Sequence, residues 1–281
     1  MILLIDAGNT RIKFDRLLED GTRAASGCAF TLAELDVARQ WLRGLPQRPT
    51  RALGVNVAGA SAATALEAVV GCAIDWLQAG RSALGVRNGY LDPAQLGTDR
   101  WAAMVGLAWH ERLRTQAEAA APCGALLAIF GTATTIDTLW PAQGLAAQGD
   151  AGEPTVFDFR GGLILPGPAM MLASLSTGTA NLPQAQGDIA LYPTHTHQAI
   201  VTGMAAAQAG ALLRQWMAAS DDDATPPEVY VSGGGWPMVQ AEVQRLLNQA
   251  FCSQGLAARP VRLLDAPVLD GLACLARNAL N

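Results

Sequence analysis

The 281-residue chain is poor in charge: 19 Lys and Arg stand against 24 Asp and Glu, 15% of all residues, for a formal net charge of -5. It contains no run of basic residues, which argues against a counterion-releasing surface for nucleic acid or an anionic membrane. Histidine is nearly absent, represented by His110, His195 and His197 alone. The five cysteines (Cys28, Cys72, Cys123, Cys252 and Cys274) are dispersed and form no Cys-x-x-Cys pair. An odd, scattered set suggests neither a disulfide framework nor a zinc site, so reduced core cysteines are expected. The Thr-His-Thr-His stretch at 194–197 reads as a polar loop or helix start. Long apolar runs are missing too, since the opening stretch at 1–5 is stopped by Asp6, far short of the roughly 20 residues of a membrane span. With no basic leader segment, a secretory signal is not expected and the protein is expected to be cytoplasmic.

What the chain does have is a hydrophobic fraction of 51%, swollen by alanine. That excludes disorder, and the length suits one large or two smaller domains. Residues 1–18 read as two strands, ILLID and RIKFDRLL, joined at Gly8-Asn9, a pair that favours a tight hairpin. Residues 125–140 repeat the layout with LLAIF, the turn GTATT and IDTLW, which implies an internal duplication. RALGVNVAG at 51–59 reads as a strand and turn, and 61–70 as a helix. Residues 98–114 place Trp101, Met104, Val105 and Ala108 at helical spacing, with Thr98 as N-cap. The Ala/Pro/Gly stretch at 118–124 marks the best domain boundary, dividing 1–118 from 119–281. Beyond it come a Gly/Ala loop at 143–154, a strand pair in VFDFRGGLILPG, a helix from 169 to 175 and a long Ala-rich helix at 198–217. An acidic loop at 220–227, the strand of EVYVSGGGW and a helix at 238–251 follow. Strands alternating with helices make the class α/β.

Three strand-end turns carry the residues for phosphate chemistry. Asp6-Ala7-Gly8-Asn9-Thr10 is followed by Arg11, Ile12 and Lys13. Gly8 lets a backbone approach a phosphate, Asn9 and Thr10 offer donors, and an aspartate at a strand end can hold hydrated magnesium. A plain hairpin turn would use the same glycine and asparagine. Lys13 tilts the reading toward phosphate, because it is the one lysine among the 19 basic residues and a compact ammonium is not interchangeable with a guanidinium. The second turn is Gly131-Thr132-Ala133-Thr134-Thr135 and the third is Gly233-Gly234-Gly235; together they suggest a nucleotide cleft between two domains. Gly97-Thr98-Asp99-Arg100 opens a helix. It reads either as a simple cap with an acid favourable to the helix dipole, or as a general base, Asp99, beside an anion anchor, Arg100.

Five motifs in order, DAGNTRIK (6–13), NGYLDPAQLGTDR (88–100), GTATTID (131–137), GGLILPG (161–167) and TANLP (179–183), resemble those of type III pantothenate kinases, also called Bvg accessory factors. The resemblance implies an actin-like, sugar-kinase-type fold of two duplicated ribonuclease-H-like domains with ATP in the cleft between them. It implies ATP-dependent phosphorylation of pantothenate to 4'-phosphopantothenate, which opens coenzyme A synthesis. By the same resemblance Asp6, Ala7, Gly8, Asn9, Thr10, Arg11, Ile12 and Lys13, with Thr132, handle ATP, and Asp6 also holds magnesium. Asp99 is the base; Tyr90, Gly97, Thr98, Asp99, Arg100 and Thr179 line the pantothenate site; the glycines at 233–235 form the adenosine-side turn. A homodimer is expected through the Ala-rich helix with Gly203 and Gly210. One departure stands out. Family members commonly carry Asp-x-Gly-Thr in the second hairpin, where the aspartate ligates a monovalent cation, but this chain reads Ile129-Phe130-Gly131-Thr132, so no such cation site is expected.

Another small-molecule kinase of the same fold and a non-catalytic nucleotide-binding regulator are the competing readings. The 88–100 segment discriminates the first. The intact Asp6, Lys13 and Asp99 weigh against the second.

Overall fold

The structure, a computed structural model, describes residues 1–24, 26–142, 156–220 and 225–279. The Gly/Ala loop expected at 143–154 and residues 221–224 of the acidic loop lie outside the described residues. The strands are β1 (Ile2–Ala7), β2 (Ile12–Leu17), β3 (Cys28–Phe30), β4 (Arg51–Asn56), β5 (Ile74–Trp76), β6 (Ser82–Ala83), β7 (Val86–Asn88), β8 (Ala125–Phe130), β9 (Ala133–Pro141), β10 (Phe157–Pro166), β11 (Glu228–Ser232) and β12 (Arg262–Leu263). The helices are α1 (Leu35–Arg43), α2 (Ala60–Val70), α3 (Thr98–Glu118), α4 (Pro168–Gly178), α5 (Thr196–Ser220), α6 (Trp236–Ser253) and α7 (Pro267–Asn278). Among the described residues no helix is long and apolar enough to cross a membrane.

The chain divides into two compact units, one of Met1–Pro122, Pro141–Arg160 and Ala266–Asn281, the other of Cys123–Trp140 and Gly161–Asp265. They interleave in sequence, unlike the single cut at 118/119 that composition suggests, although one border falls at Pro122/Cys123, inside the Ala/Pro/Gly stretch. The chain returns because α7 packs along α3 and against β1, β2 and β4, a non-local contact that composition does not reveal.

In the first unit the strand order is β3-β2-β1-β4-β5. β2 is antiparallel to β1 and to β3, while β4 is parallel to β1 and to β5. β1 is central, and Leu3, Leu4 and Ile5 are fully buried, the continuous apolar run of a strand covered on both faces. In the second unit the order is β10-β9-β8-β11-β12, with β8 and β9 antiparallel and β11 parallel to β8 and to β12. These five strands repeat the order of the first sheet, so the duplication suggested by the hairpins extends to five strands in each; β7 and β6 continue the second sheet beyond β10.

Two local expectations need correcting. VFDFRGGLILPG forms one continuous strand, β10, rather than a strand pair. Its Gly-Gly does not turn, because Gly162 lies against Ile136 O and the Asp137 side chain of β9, where no Cβ fits. The first hairpin is joined by the four residues 8–11 instead of a two-residue turn, closed by Gly8 N–H donating to Arg11 O at 3.1 Å.

The helix α3 has buried residues all around its first three turns, including Trp101, Met104, Val105 and Leu107. It needs neighbours on every side, and α7 supplies one at close range. A Cβ on Gly271 would lie 3.0 Å from Gly106 N and collide with Ala102 O; one on Gly106 would lie 3.0 Å from Gly271 N and collide with Pro267 O. Gly271→Ala is therefore expected to force the helices apart and destabilise the protein by about 1–3 kcal/mol, read as a lower urea midpoint; an unchanged midpoint would show that the crossing tolerates a methyl group.

Candidate active site

In the first unit, Asp6 closes the central strand β1 and pairs across the hairpin with Lys13 of β2. Lys13 Nζ stands 4.0 Å from Asp6 Oδ2. Burial pushes the Asp6 carboxyl up to about 6; Lys13 opposes the rise and the charge of Asp99 adds to it. The fold thus brings Asp6, Lys13 and Asp99 into one electrostatic neighbourhood. Ala7 and Ile12 are buried as the last rung of the hairpin, which leaves their backbone as the part available to a ligand. Asn9, Thr10 and Arg11 are exposed.

The start of α3 supplies the second group. Gly97 is the N-cap residue and Thr98 the first helical one, so Thr98 is not the cap that the spacing predicts. The Asp99 carboxylate folds back over this end, with Oδ1 accepting Arg100 N–H at 2.7 Å. A Cβ at Gly97 would lie 2.8 Å from that oxygen, so the glycine makes room for the carboxylate. Thr98 Oγ1 is buried and has no hydrogen-bond partner, a cost that a bound ligand with a polar group would remove. Arg100 is 5% exposed, and its Nη1 donates to Tyr90 Oη at 2.7 Å. Tyr90 is aimed by Asn88, whose Oδ1 accepts Tyr90 N–H at 3.0 Å and whose Nδ2 donates to Gly80 O at 3.0 Å. Asn88 was not singled out from the sequence, although its place two residues before Tyr90 is the spacing of an Asx turn.

In the second unit the turns gather at the end of β8. Gly167 N–H donates to Thr132 O at 2.8 Å and Gly235 N–H to Phe130 O at 2.8 Å. A side chain at Gly167 would strike the carbonyls of Gly131 and Thr132. The 131–132 and 233–235 turns thus meet, together with the end of β10. Thr132 is exposed. Thr179 belongs to this unit but to another element: it ends α4, donating from Oγ1 to Leu175 O at 2.7 Å and accepting Leu182 N–H at 3.3 Å.

Among the described residues there is no cluster of three or more His, Cys, Asp or Glu that could hold a metal. A single desolvated carboxylate is nevertheless the donor set that suits magnesium, which keeps most of its waters and takes its other ligands from phosphate oxygens.

A family model described as type III pantothenate kinase matches residues 2–218. The chain belongs to the type III pantothenate kinase family. It is 49% identical to the type III pantothenate kinase of Bordetella bronchiseptica over 99% of this chain and 98% of that protein. It is 36% identical to that of Aromatoleum aromaticum over 99% of this chain and 98% of that protein. Among solved structures, a chain of a PilM-PilN type IV pilus biogenesis complex has a TM-score of 0.50 at 11% identity, covering 98% of each chain; a likeness of that kind concerns the fold alone. The fold is the duplicated α/β, actin-like and sugar-kinase-type architecture expected of the family, with the same order of five strands recurring in the two sheets.

The buried carboxyl has a consequence for stability. In the unfolded chain Asp6 ionises at its ordinary value of 3.8, but in the folded protein at about 6. The folded state binds the proton more tightly between those values, so its stability falls as pH rises from about 4 to about 6 and levels off above. Asp6→Asn has no proton to lose. It is expected to be more stable than the wild type above about pH 6, by up to about 3 kcal/mol, and to lose that advantage below about pH 4. Urea unfolding at the two extremes checks this; an advantage that is the same at both would show that desolvation of the carboxylate is not its source.

Proposed function

We propose that the protein transfers the γ-phosphoryl group of ATP to the primary hydroxyl of pantothenate, giving 4'-phosphopantothenate, the first step of coenzyme A biosynthesis. The observation that carries this reading is the pairing of two unlike carboxylates: Asp6, held with Lys13 at the end of β1, and Asp99, beside an unpartnered Thr98 hydroxyl at the start of α3. Membership of the family supplies the substrate pair.

In this reading the acceptor hydroxyl lies against Asp99, which takes its proton as the oxygen attacks phosphorus. Arg100 pairs with the pantothenate carboxylate, for which a guanidinium is a planar two-point match. Tyr90, Gly97, Thr98 and Thr179 line the acceptor. Lys13 and the backbone of residues 6–13 steady the charge that develops on the transferred group, Thr132 contacts ATP, and the glycines at 233–235 serve the adenosine side. Magnesium bound at Asp6 would draw charge from the phosphate oxygens. The reading also includes a homodimer, supported by open space beside Gly203 and Gly210 of α5, and a cytoplasmic location.

A monovalent cation does not fit. Ile129 and Thr135 form the ladder pair of the second hairpin that corresponds to Asp6 and Lys13 in the first. The nearest acid along the partner strand is Asp137, which pairs with Leu127, two rungs further from the turn, or about 7 Å away. It is buried, and its carboxylate lies against Gly162.

The test of the reading is ADP release that depends on pantothenate; release that ignores pantothenate, or none, would refute it. Asp99→Asn is expected to lower kcat by about 10²–10⁴ with ATP binding intact; wild-type turnover would mean that Asp99 only favours the helix start. Initial rates in sodium, potassium, ammonium and Tris buffers of equal ionic strength are expected to agree, because an ion beside Ile129 lacks a charged ligand; a rise of about tenfold with potassium or ammonium would count against this assignment.

A further inference from the structure

Two phenylalanines of β10 face two arginines of α3. Phe157 and Phe159 are buried, at 1% and 0% exposure, and lie two residues apart on one face of the strand. Arg112 Cζ is 5.9 Å from the ring centre of Phe157, and Arg100 Cζ is 5.8 Å from that of Phe159. The two pairs look alike, but their surroundings differ. Arg112 Nη2 donates to Leu84 O at 2.6 Å, in a turn where Leu84 has a φ of +48°, so this arginine fastens a strained backbone. Arg100 donates to Tyr90 Oη instead, and the Tyr90 ring is stacked on Phe159 with centroids 5.7 Å apart and planes 16° from parallel. Arg100 Cζ is 5.6 Å from the Tyr90 ring centre. The guanidinium and the two rings therefore stand at the corners of a nearly equilateral triangle.

The backbone holds Phe159 in this place independently of the stack. Phe159 pairs with Asn88 in the parallel ladder between β10 and β7. Gly89 N–H donates to Phe159 O at 2.9 Å, and Asn88 aims Tyr90. An arginine free to choose among rotamers loses much of its attraction for an anion to ordering; here the aromatic faces limit that choice before a ligand arrives.

We infer that Phe159 is a positioning residue for the acceptor subsite, fixing Tyr90 and Arg100 so that the guanidinium is pre-organised for the carboxylate of the acceptor. This rests on the function proposed above. Phe159 touches no substrate; it acts through its two neighbours and sets affinity for the acceptor, leaving ATP and the chemical step alone.

The experiment compares Phe159→Leu with Phe157→Leu, a buried ring removed from the same face of the same strand. Both are expected to lower the thermal midpoint. Phe159→Leu alone is expected to raise the KM for pantothenate about five- to tenfold, with kcat and the KM for ATP within about twofold of wild type, and to weaken calorimetric binding of pantothenate by the same factor. Should Phe159→Leu not fold, Phe159→Met, closer in volume and also without a ring, carries the same expectation. An unchanged KM for pantothenate overturns the inference, as does an equal rise in both variants, which would make the effect one of strand packing. The wild type is assayed alongside: if it shows no pantothenate-dependent turnover, the functional reading falls and the inference with it, whereas a competent wild type with an indifferent Phe159→Leu overturns the inference alone.

Discussion

A carboxylate kept out of water at the end of a central strand is the constraint around which the first unit is arranged. Asp6 follows three residues that are fully buried, Leu3, Leu4 and Ile5, so its backbone cannot move outward without opening the core. The strand is flanked by β2 on one side and β4 on the other, which fixes where the side chain emerges. Two negative groups, Asp6 and Asp99, and one positive group, Lys13, act on that spot. Burial has the largest influence: it raises the carboxyl to about 6 against the opposing pull of Lys13, with a smaller push in the same direction from Asp99.

The duplicate of that strand shows what happens when the constraint is lifted. β8 repeats β1 in the second sheet, and the position corresponding to Asp6 is Ile129, opposite Thr135 where the first hairpin has Lys13. A charged rung has become a neutral one. The surrounding geometry persists: a glycine still follows the strand, and the neighbouring turn at 233–235 still closes on the strand end through Phe130 O. The two hairpins thus differ in chemistry, one offering full charges and the other backbone N–H groups and hydroxyls. Neutral donors hold an anion by direction more than by charge.

Much of this was legible from local pattern. The hairpins, the α/β alternation, the strand-end glycines and the Asp99-Arg100 pair all depend on residues close together in the chain, where spacing carries the signal. What escaped depends on distance. α7 carries an ordinary apolar pattern, and nothing local says that it returns to α3; the glycine contact between Gly106 and Gly271 joins residues far apart in sequence. The Gly161-Gly162 pair reads as a turn until β9 is seen beside it. Phe159 was invisible for the opposite reason, because an aromatic residue in an apolar strand is what any core would contain. Only the stacked Tyr90 and the guanidinium next to it distinguish Phe159 from Phe157.

Position is what α3 contributes to the proposed reaction. In a loose phosphoryl-transfer transition state the acceptor oxygen has formed little bond to phosphorus when its proton must leave. The demand therefore falls on alignment of the attacking oxygen, where a small displacement is costly. α3 meets that demand by burial along its first turns, by the close crossing with α7 and by the aromatic cradle of Arg100. The start of α3, where Asp99 and Arg100 sit, is therefore held by residues far from it in sequence, Gly271 of α7 and Phe159 of β10 among them.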